Sequence, residues 1–181
     1  MNHNLQNTIA LLARTPAVLD TFLRDLPEMW TQTNEGEGTW SVHTVVAHLI
    51  HCEDEDWMPR AKIILQPGGT KAFAPFDRDG HQRYSPGKSL GQLLDEFAKL
   101  RVLNLDELRA LNLTPEDLNL RGTHPTFGSV TLSQLLATWA THDLTHLHQI
   151  SRIMACQYRE TVGPWVQFQG VMSCKGHSSA A

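Results

Sequence analysis

Two histidines, His142 and His146, lie four residues apart in segment 131–157, which contains neither glycine nor proline. Apolar residues in this segment recur at intervals of three and four, which is the spacing of one helical face. They are Leu132, Leu135, Leu136, Trp139, Ala140, Leu147, Ile150 and Met154. Because residues i and i+4 project from the same side of a helix, both imidazoles can offer a nitrogen to one metal ion. His148 is two residues further on and should point away.

A third ligand is predicted at His48, in segment 42–65, where it lies on the flank of a second apolar stripe. A buried neutral imidazole needs partners for both nitrogens, and an apolar bundle offers few of them. A metal ion shared by three histidines solves this problem for all three. Three nitrogen ligands with one open position are typical of a catalytic site. The alternative is that these histidines lie on the surface, or in the core with their ring nitrogens hydrogen-bonded to other groups.

Other metal-binding patterns fit less well. A zincin requires glutamate directly after the first histidine, but Asp143 stands there and is interpreted as structural. A ferritin-like centre requires Glu-x-x-His on two helices, which the chain lacks. Cys52, one turn after His48, is a fourth ligand, a reactive thiol or, as we favour, a buried inert cysteine. Glu53 is a candidate for orienting a ligand imidazole.

The elements that must position these residues are four helical segments without competing strand-like alternation. In the first, either the helix kinks at Pro16 or a second helix starts there, and we favour one bent helix. The second is predicted as a helix that ends or bends at Pro59 and then resumes. The pattern predicts an all-α four-helix bundle with long crossover connections and a single domain over residues 1–174. The predicted helical segments are 5–29, 42–65, 89–111 and 131–157.

Two connections are unusually long. Segment 66–88 contains three prolines and four glycines, and segment 113–130 is interpreted as a second loop. The first connection is long enough to roof an open metal position and to select substrate. Segment 163–174 is predicted to form a short final helix with Trp165 and Phe168 packed back onto the bundle, followed by a flexible tail at 175–181.

Composition excludes several classes of function. The chain has 181 residues, 41% of them hydrophobic and 19% charged, and a formal net charge of -4. The chain has no basic run that would indicate a nucleic-acid partner. It also has no apolar run of the roughly 18 residues that are needed to span a membrane. Three cysteines without a CxxC motif indicate neither a disulfide framework nor a zinc knuckle. A cytoplasmic location is the resulting expectation, and the amino terminus lacks the pattern of a signal peptide.

Three longer motifs include the candidate ligands or lie just before the fourth segment. They are W-S-V-x-x-V-x-x-H-L at 40–49, H-P-x-F-G-x-V-T-L at 124–132 and W-x-x-H-D-L-x-H-x-x-Q-I at 139–150. These motifs resemble the DinB-like superfamily, which includes relatives of the bacterial low-molecular-weight-thiol transferases. The resemblance extends to D-W-x-x-R at 56–60 and F-x-x-x-R at 97–101. It therefore spans nearly the whole chain.

The resemblance implies a four-helix bundle, commonly a homodimer, that holds a divalent nickel or zinc ion. Carried onto this sequence, the implied ligands are His48, His142 and His146. Thiol-dependent isomerase relatives have glutamate at the first of the two fourth-helix positions. Because His142 stands there, the chain is placed with the three-histidine members.

The function that we favour from the sequence is transfer of a low-molecular-weight thiol to an electrophilic small molecule, because a metal can hold a thiol as the reactive thiolate. Hydrolysis by metal-activated water is the alternative. A third candidate is a non-catalytic, metal-binding dimeric bundle with a binding role in a stress response. Arg60 and Arg101 are candidates for binding a carboxylate of the thiol or substrate, with surface salt bridging as the competing interpretation.

Overall fold

The computed structural model describes residues 4–68 and 72–174. Four long helical segments form a bundle, which confirms the predicted fold class. The first segment is α1 and α2, the second is α4 and α5, the third is α6 and the fourth is α8. The α-helices are α1 Leu5–Leu12, α2 Thr15–Leu23, α3 Glu28–Thr31, α4 Val42–Glu55, α5 Trp57–Leu65, α6 Leu90–Ala110, α7 Pro115–Leu118, α8 Leu132–Cys156 and α9 Gly170–Ser173. Short 3-10 helices cover Gly80–Arg83 and Gly163–Phe168, and two strands are β1 Arg121–His124 and β2 Gly128–Thr131.

The two longest helices begin at capping boxes. The Thr131 side chain accepts a hydrogen bond from the backbone of Gln134, whose side chain returns one to the backbone of Thr131. Ser89 and Gln92 form the same arrangement at the start of α6. Each box satisfies two backbone N–H groups that a helix start leaves unpaired. Both helices begin and end within one residue of the predicted bounds.

The first segment is not the single bent helix that the sequence predicted. The helix stops at Leu12 and restarts at Thr15, and α2 ends at Leu23, six residues before the predicted end. Pro16 lies in the first turn of α2, where its missing N–H costs nothing. Asp25 has a φ of 61°, a left-handed conformation that ends the helical path.

The second segment is interrupted at Asp56, three residues before Pro59, and then resumes as α5. Pro59 has no N–H to donate to the carbonyl of Glu55, so the ladder of i to i−4 hydrogen bonds cannot continue through this point. The predicted interruption and resumption are confirmed.

The second connection was wrongly predicted as a loop, because it contains α7 and a β-hairpin. The two antiparallel strands pair Arg121 with Thr131 and His124 with Gly128. The hairpin is anchored to the first connection, since Phe73 N–H donates to the Thr123 carbonyl at 2.8 Å. Strands of four residues are too short to show a clear alternation of apolar and polar residues.

The predicted packing of Trp165 and Phe168 onto the bundle is also wrong. The segment does form a 3-10 helix and a short α-helix, but Trp165 is 65% exposed and Phe168 is 70% exposed. Their contact is with each other, with ring centroids 6.3 Å apart. The predicted flexible tail at 175–181 lies outside the described residues.

Buried polar side chains lie between two hydrophobic clusters. One cluster is built around Leu12, Trp57 and Trp139 and the other around Leu19, Val46 and Ile150. Helices α4, α6 and α8 each contribute polar residues that are mostly buried. We call this set the polar layer. Its members are His48, Glu53, Arg101, Asn104, His142, Asp143 and His146.

A close contact at Gly80 fixes the first connection against α4, and replacement of Gly80 with alanine is expected to destabilise the fold. An ideal Cβ at Gly80 would lie 2.3 Å from Cε1 of the buried His51 ring. Overpacking of this kind costs about 1–3 kcal/mol, which urea unfolding would measure. Gly170→Ala is the matched control, because a Cβ there meets no atom within 4 Å. Equal stability of the two variants would contradict the expected clash.

Candidate metal centre

Three histidines from two helical segments converge within the polar layer. His48 comes from the middle of α4, and His142 and His146 come from successive turns of α8. The Nε2 atom of His142 lies 3.2 Å from Nε2 of His48 and 3.0 Å from Nε2 of His146. Each histidine offers one nitrogen to a cluster whose atoms all lie within 4.8 Å of one another. These are the three residues that the sequence singled out.

The spacing of the nitrogens fits a shared metal ion. Nitrogens about 2.0–2.1 Å from one ion lie about 2.9 Å apart at right angles and about 3.4 Å apart at tetrahedral angles. The two observed distances fall between these values. A ring nitrogen carries either one proton or one lone pair, so Nε2 of His142 cannot complete a hydrogen bond with both neighbours. A cation at the common centre would satisfy all three nitrogens.

His48 is prepared to act as a neutral ligand. Burial, together with the neighbouring imidazoles of His146, His81 and His51, lowers the pKa of His48 to about 2. His48 therefore carries no charge near neutral pH. A neutral imidazole nitrogen is the form that binds a metal ion.

Cys52 is adjacent to the cluster, but its position does not favour direct ligation. Its Sγ lies 3.5 Å from Nε2 and 3.9 Å from Nδ1 of His48. Similar distances to both nitrogens place the sulfur beside the imidazole ring rather than beyond Nε2, where an ion would lie. Burial, followed by the nearby Asp56 and Glu53, raises the pKa of the thiol well above its usual value. The geometry is that of a buried cysteine packed against a ligand.

Arg101 does not lie where the substrate-binding prediction requires it. Its side chain is 1% exposed and makes a bidentate ion pair with Asp143, at 2.6 Å and 2.9 Å. It also donates to Glu53 at 2.8 Å and to the carbonyl of Leu12 at 2.8 Å. All four helical segments are thus joined through one guanidinium group, which leaves no exposed donor for a substrate carboxylate.

Glu53 likewise does not contact a ligand imidazole in the structure. Its carboxylate accepts from Arg101, from Nε1 of Trp139 at 2.9 Å and from Nδ2 of Asn104 at 3.0 Å. It therefore helps to hold α4, α6 and α8 together instead of orienting a histidine. Asn104 and the polar role of Trp139 were not predicted, since a lone asparagine or tryptophan on a helix face does not reveal its partner.

Arg60 is held near the end of the second segment. It forms an ion pair with Asp56 at 2.7 Å, and both side chains are largely buried. Burial raises the pKa of Asp56 to about 6, although the charge of Arg60 lowers it. The guanidinium also lies 5.3 Å from the ring centroid of Phe73. Binding of a substrate carboxylate by Arg60 stays a prediction.

Aromatic rings surround the three histidines. Trp40 packs against His48, with ring centroids 4.9 Å apart, and Trp57 packs against His142 at 5.1 Å. From the first connection, Phe76 lies 6.0 Å from the His48 ring.

His81, also from the first connection, packs against Trp40 with ring centroids 4.8 Å apart and the rings tilted by 49°. Trp40, Phe76 and His81 were not predicted as neighbours of the site. Trp40 precedes α4, and Phe76 and His81 belong to the irregular first connection. In such segments no periodicity predicts where a side chain points.

The fold and the three converging histidines together define a helical bundle with a candidate metal centre between its second and fourth segments. A family model of the DinB superfamily matches residues 11–150. The chain therefore belongs to the DinB superfamily.

One similar solved structure is YfiT from Bacillus subtilis, described as a probable metal-dependent hydrolase with an unusual four-helix bundle topology. The two chains share 23% identity over 87% of each, with a TM-score of 0.68, which supports a common fold. The comparison with curated proteins found no match.

A membrane-spanning helix is not found among residues 4–68 and 72–174, because no helix there is both long enough and apolar enough.

Proposed function

We propose that this protein binds a divalent metal ion through Nε2 of His48, His142 and His146 and transfers a low-molecular-weight thiol to an electrophilic small molecule. The observation that carries the proposal is the convergence of three ring nitrogens within 4.8 Å of one another. Three imidazoles leave coordination positions open for an exogenous ligand. When bound, the ion would supply a Lewis acid that favours the thiolate, the nucleophilic form of a thiol.

The residues of the chain prepare the site for this chemistry. His48 is neutral, as ligation requires. The rings of Trp40 and Trp57 cover the histidines, and a surrounding of low polarity strengthens the attraction between a cation and a thiolate. In the overall reaction the thiol proton passes to solvent, a sulfur–carbon bond forms and the leaving group departs with the electron pair of the bond that breaks.

Hydrolysis is the second candidate. It is supported by the description of YfiT as a probable metal-dependent hydrolase. A second support is His81, which the first connection places beside the site. Nδ1 of His81 donates to the Arg78 carbonyl at 3.0 Å, so Nε2 is the nitrogen left with a lone pair. Nickel or zinc as the native ion, a homodimer and a cytoplasmic location remain further predictions.

The proposal is tested by loading metal-depleted protein with nickel or zinc and supplying monochlorobimane with a panel of bacterial thiols. We expect the fluorescent conjugate to form at a rate that depends on the loaded metal, with metal-free protein as the control. p-Nitrophenyl acetate is tested in parallel, because metal-dependent ester cleavage without thiol transfer would favour the hydrolase. Stoichiometric metal with neither reaction would favour the binding module, and thiol transfer at equal rates with and without metal would overturn the proposal.

A further inference from the structure

Gln149 makes a hydrogen bond to Nδ1 of the candidate ligand His146 and thereby fixes which ring nitrogen carries the proton. It lies one turn after His146 on α8, is 1% exposed, and places Oε1 2.7 Å from Nδ1 of His146. A carbonyl oxygen can only accept a hydrogen bond, so Nδ1 of His146 carries the proton. Nε2 of His146 consequently keeps its lone pair and faces the common centre with the other two histidines.

The amide at this position is informative because carboxylates often occupy it. A metal-binding histidine commonly donates its second N–H to a carboxylate, a backbone carbonyl or a water. A carboxylate would add one negative charge a few ångströms from the ion. The side chain of Gln149 supplies the same hydrogen bond without that charge.

The two buried carboxylates of the polar layer are committed elsewhere. Asp143 and Glu53 both bind the guanidinium of Arg101, at distances of 2.6–2.9 Å. Arg101 compensates one of these two negative charges, so the three groups together keep a net charge of −1. Three neutral imidazoles and one amide do not reduce the charge of a divalent ion.

We propose that Gln149 determines the charge class of the ligand that the site accepts. It fixes His146 as a ligand without adding a negative charge, so the ion and its three neutral ligands stay doubly positive, and the open position selects a small anion or a thiolate over a neutral molecule. This inference rests on the proposed function, since it requires an ion at the three histidines.

The test compares wild-type protein with Gln149→Glu and Gln149→Met, each loaded with Co²⁺. Cobalt affinity is measured by competition with a chromophoric chelator, and azide and 2-mercaptoethanol binding by the visible absorption of the cobalt. We expect Gln149→Met to lower cobalt affinity about 10–100-fold, because the orienting hydrogen bond is lost. We expect Gln149→Glu to keep cobalt affinity at or above the wild-type value, while azide and thiol affinity fall by about tenfold through charge repulsion.

A second pair of variants covers the case in which Gln149→Glu does not fold. Cys52→Asp places a carboxylate beside His48, and Cys52→Ser is its neutral control. We expect only the aspartate variant to weaken azide binding. Equal azide affinity in wild type and the carboxylate variants would overturn the inference, as would unchanged cobalt affinity in Gln149→Met. These results would leave the metal site intact, whereas absence of cobalt uptake by wild-type protein would overturn the proposed function as well.

Discussion

Replacement of His146 with alanine is expected to lower the affinity for nickel or zinc by on the order of 100-fold or more. Loss of a residue that only orients a ligand already costs about 10–100-fold, and this variant removes a ligand itself. The remaining nitrogens of His48 and His142, 3.2 Å apart, would hold the ion through two bonds instead of three. Metal content after dialysis and competition with a chelator measure the effect.

His148→Ala is the matched control, because His148 lies on the same helix only two residues away and outside the cluster. It should retain wild-type metal content. His48→Ala tests the other helical segment and should lose metal as His146→Ala does. Stoichiometric metal in either His48→Ala or His146→Ala would remove that residue from the site.

Replacement of Arg101 with methionine is expected to destabilise the protein by about 3–5 kcal/mol, because removal of one partner of a buried ion pair leaves an uncompensated charge. Here two carboxylates, Glu53 and Asp143, would lose their partner at once. Methionine fills most of the volume of the arginine stem, so the change reports mainly on charge and hydrogen bonding. The free energy of unfolding from urea titration measures the loss.

Two further variants identify the cause. Arg109→Met removes an exposed arginine from the same helix, where the pair with Asp106 is largely solvated and such pairs contribute about 0–1 kcal/mol. The triple variant Arg101→Met, Glu53→Gln, Asp143→Asn removes all three charges and should recover part of the loss. If Arg101→Met were as stable as Arg109→Met, the buried ion pairs would not be important for the fold.

The sequence predicted the candidate ligands because helical geometry links position to direction. His142 and His146 share a helix, so their spacing alone placed them on one side. His48 was found because an imidazole beside an apolar stripe needs a special partner. The bounds of α6 and α8 followed from long periodic stretches without proline and from polar capping residues.

What the sequence did not predict depends on contacts between distant segments. Arg101 and Asp143 are 42 residues apart, and no pattern on either helix indicates that they pair, so the ion pair was not predicted. The hairpin at 121–131 is stabilised partly by Phe73, far away in the chain. Trp165 and Phe168 were expected to be buried because they are aromatic, but hydrophobic residues also occur on surfaces.

The polar layer has a consequence for how the four segments align along their axes. Contacts between leucines are non-directional, so apolar clusters alone tolerate a slip of one helix past another. A slip of one turn, about 5.4 Å, would bring the guanidinium of Arg101 among aliphatic side chains and separate it from Asp143. The ion pair thus discriminates against shifted arrangements of the same bundle. In the one register that it permits, the imidazole of His48 on α4 meets the two imidazoles of α8.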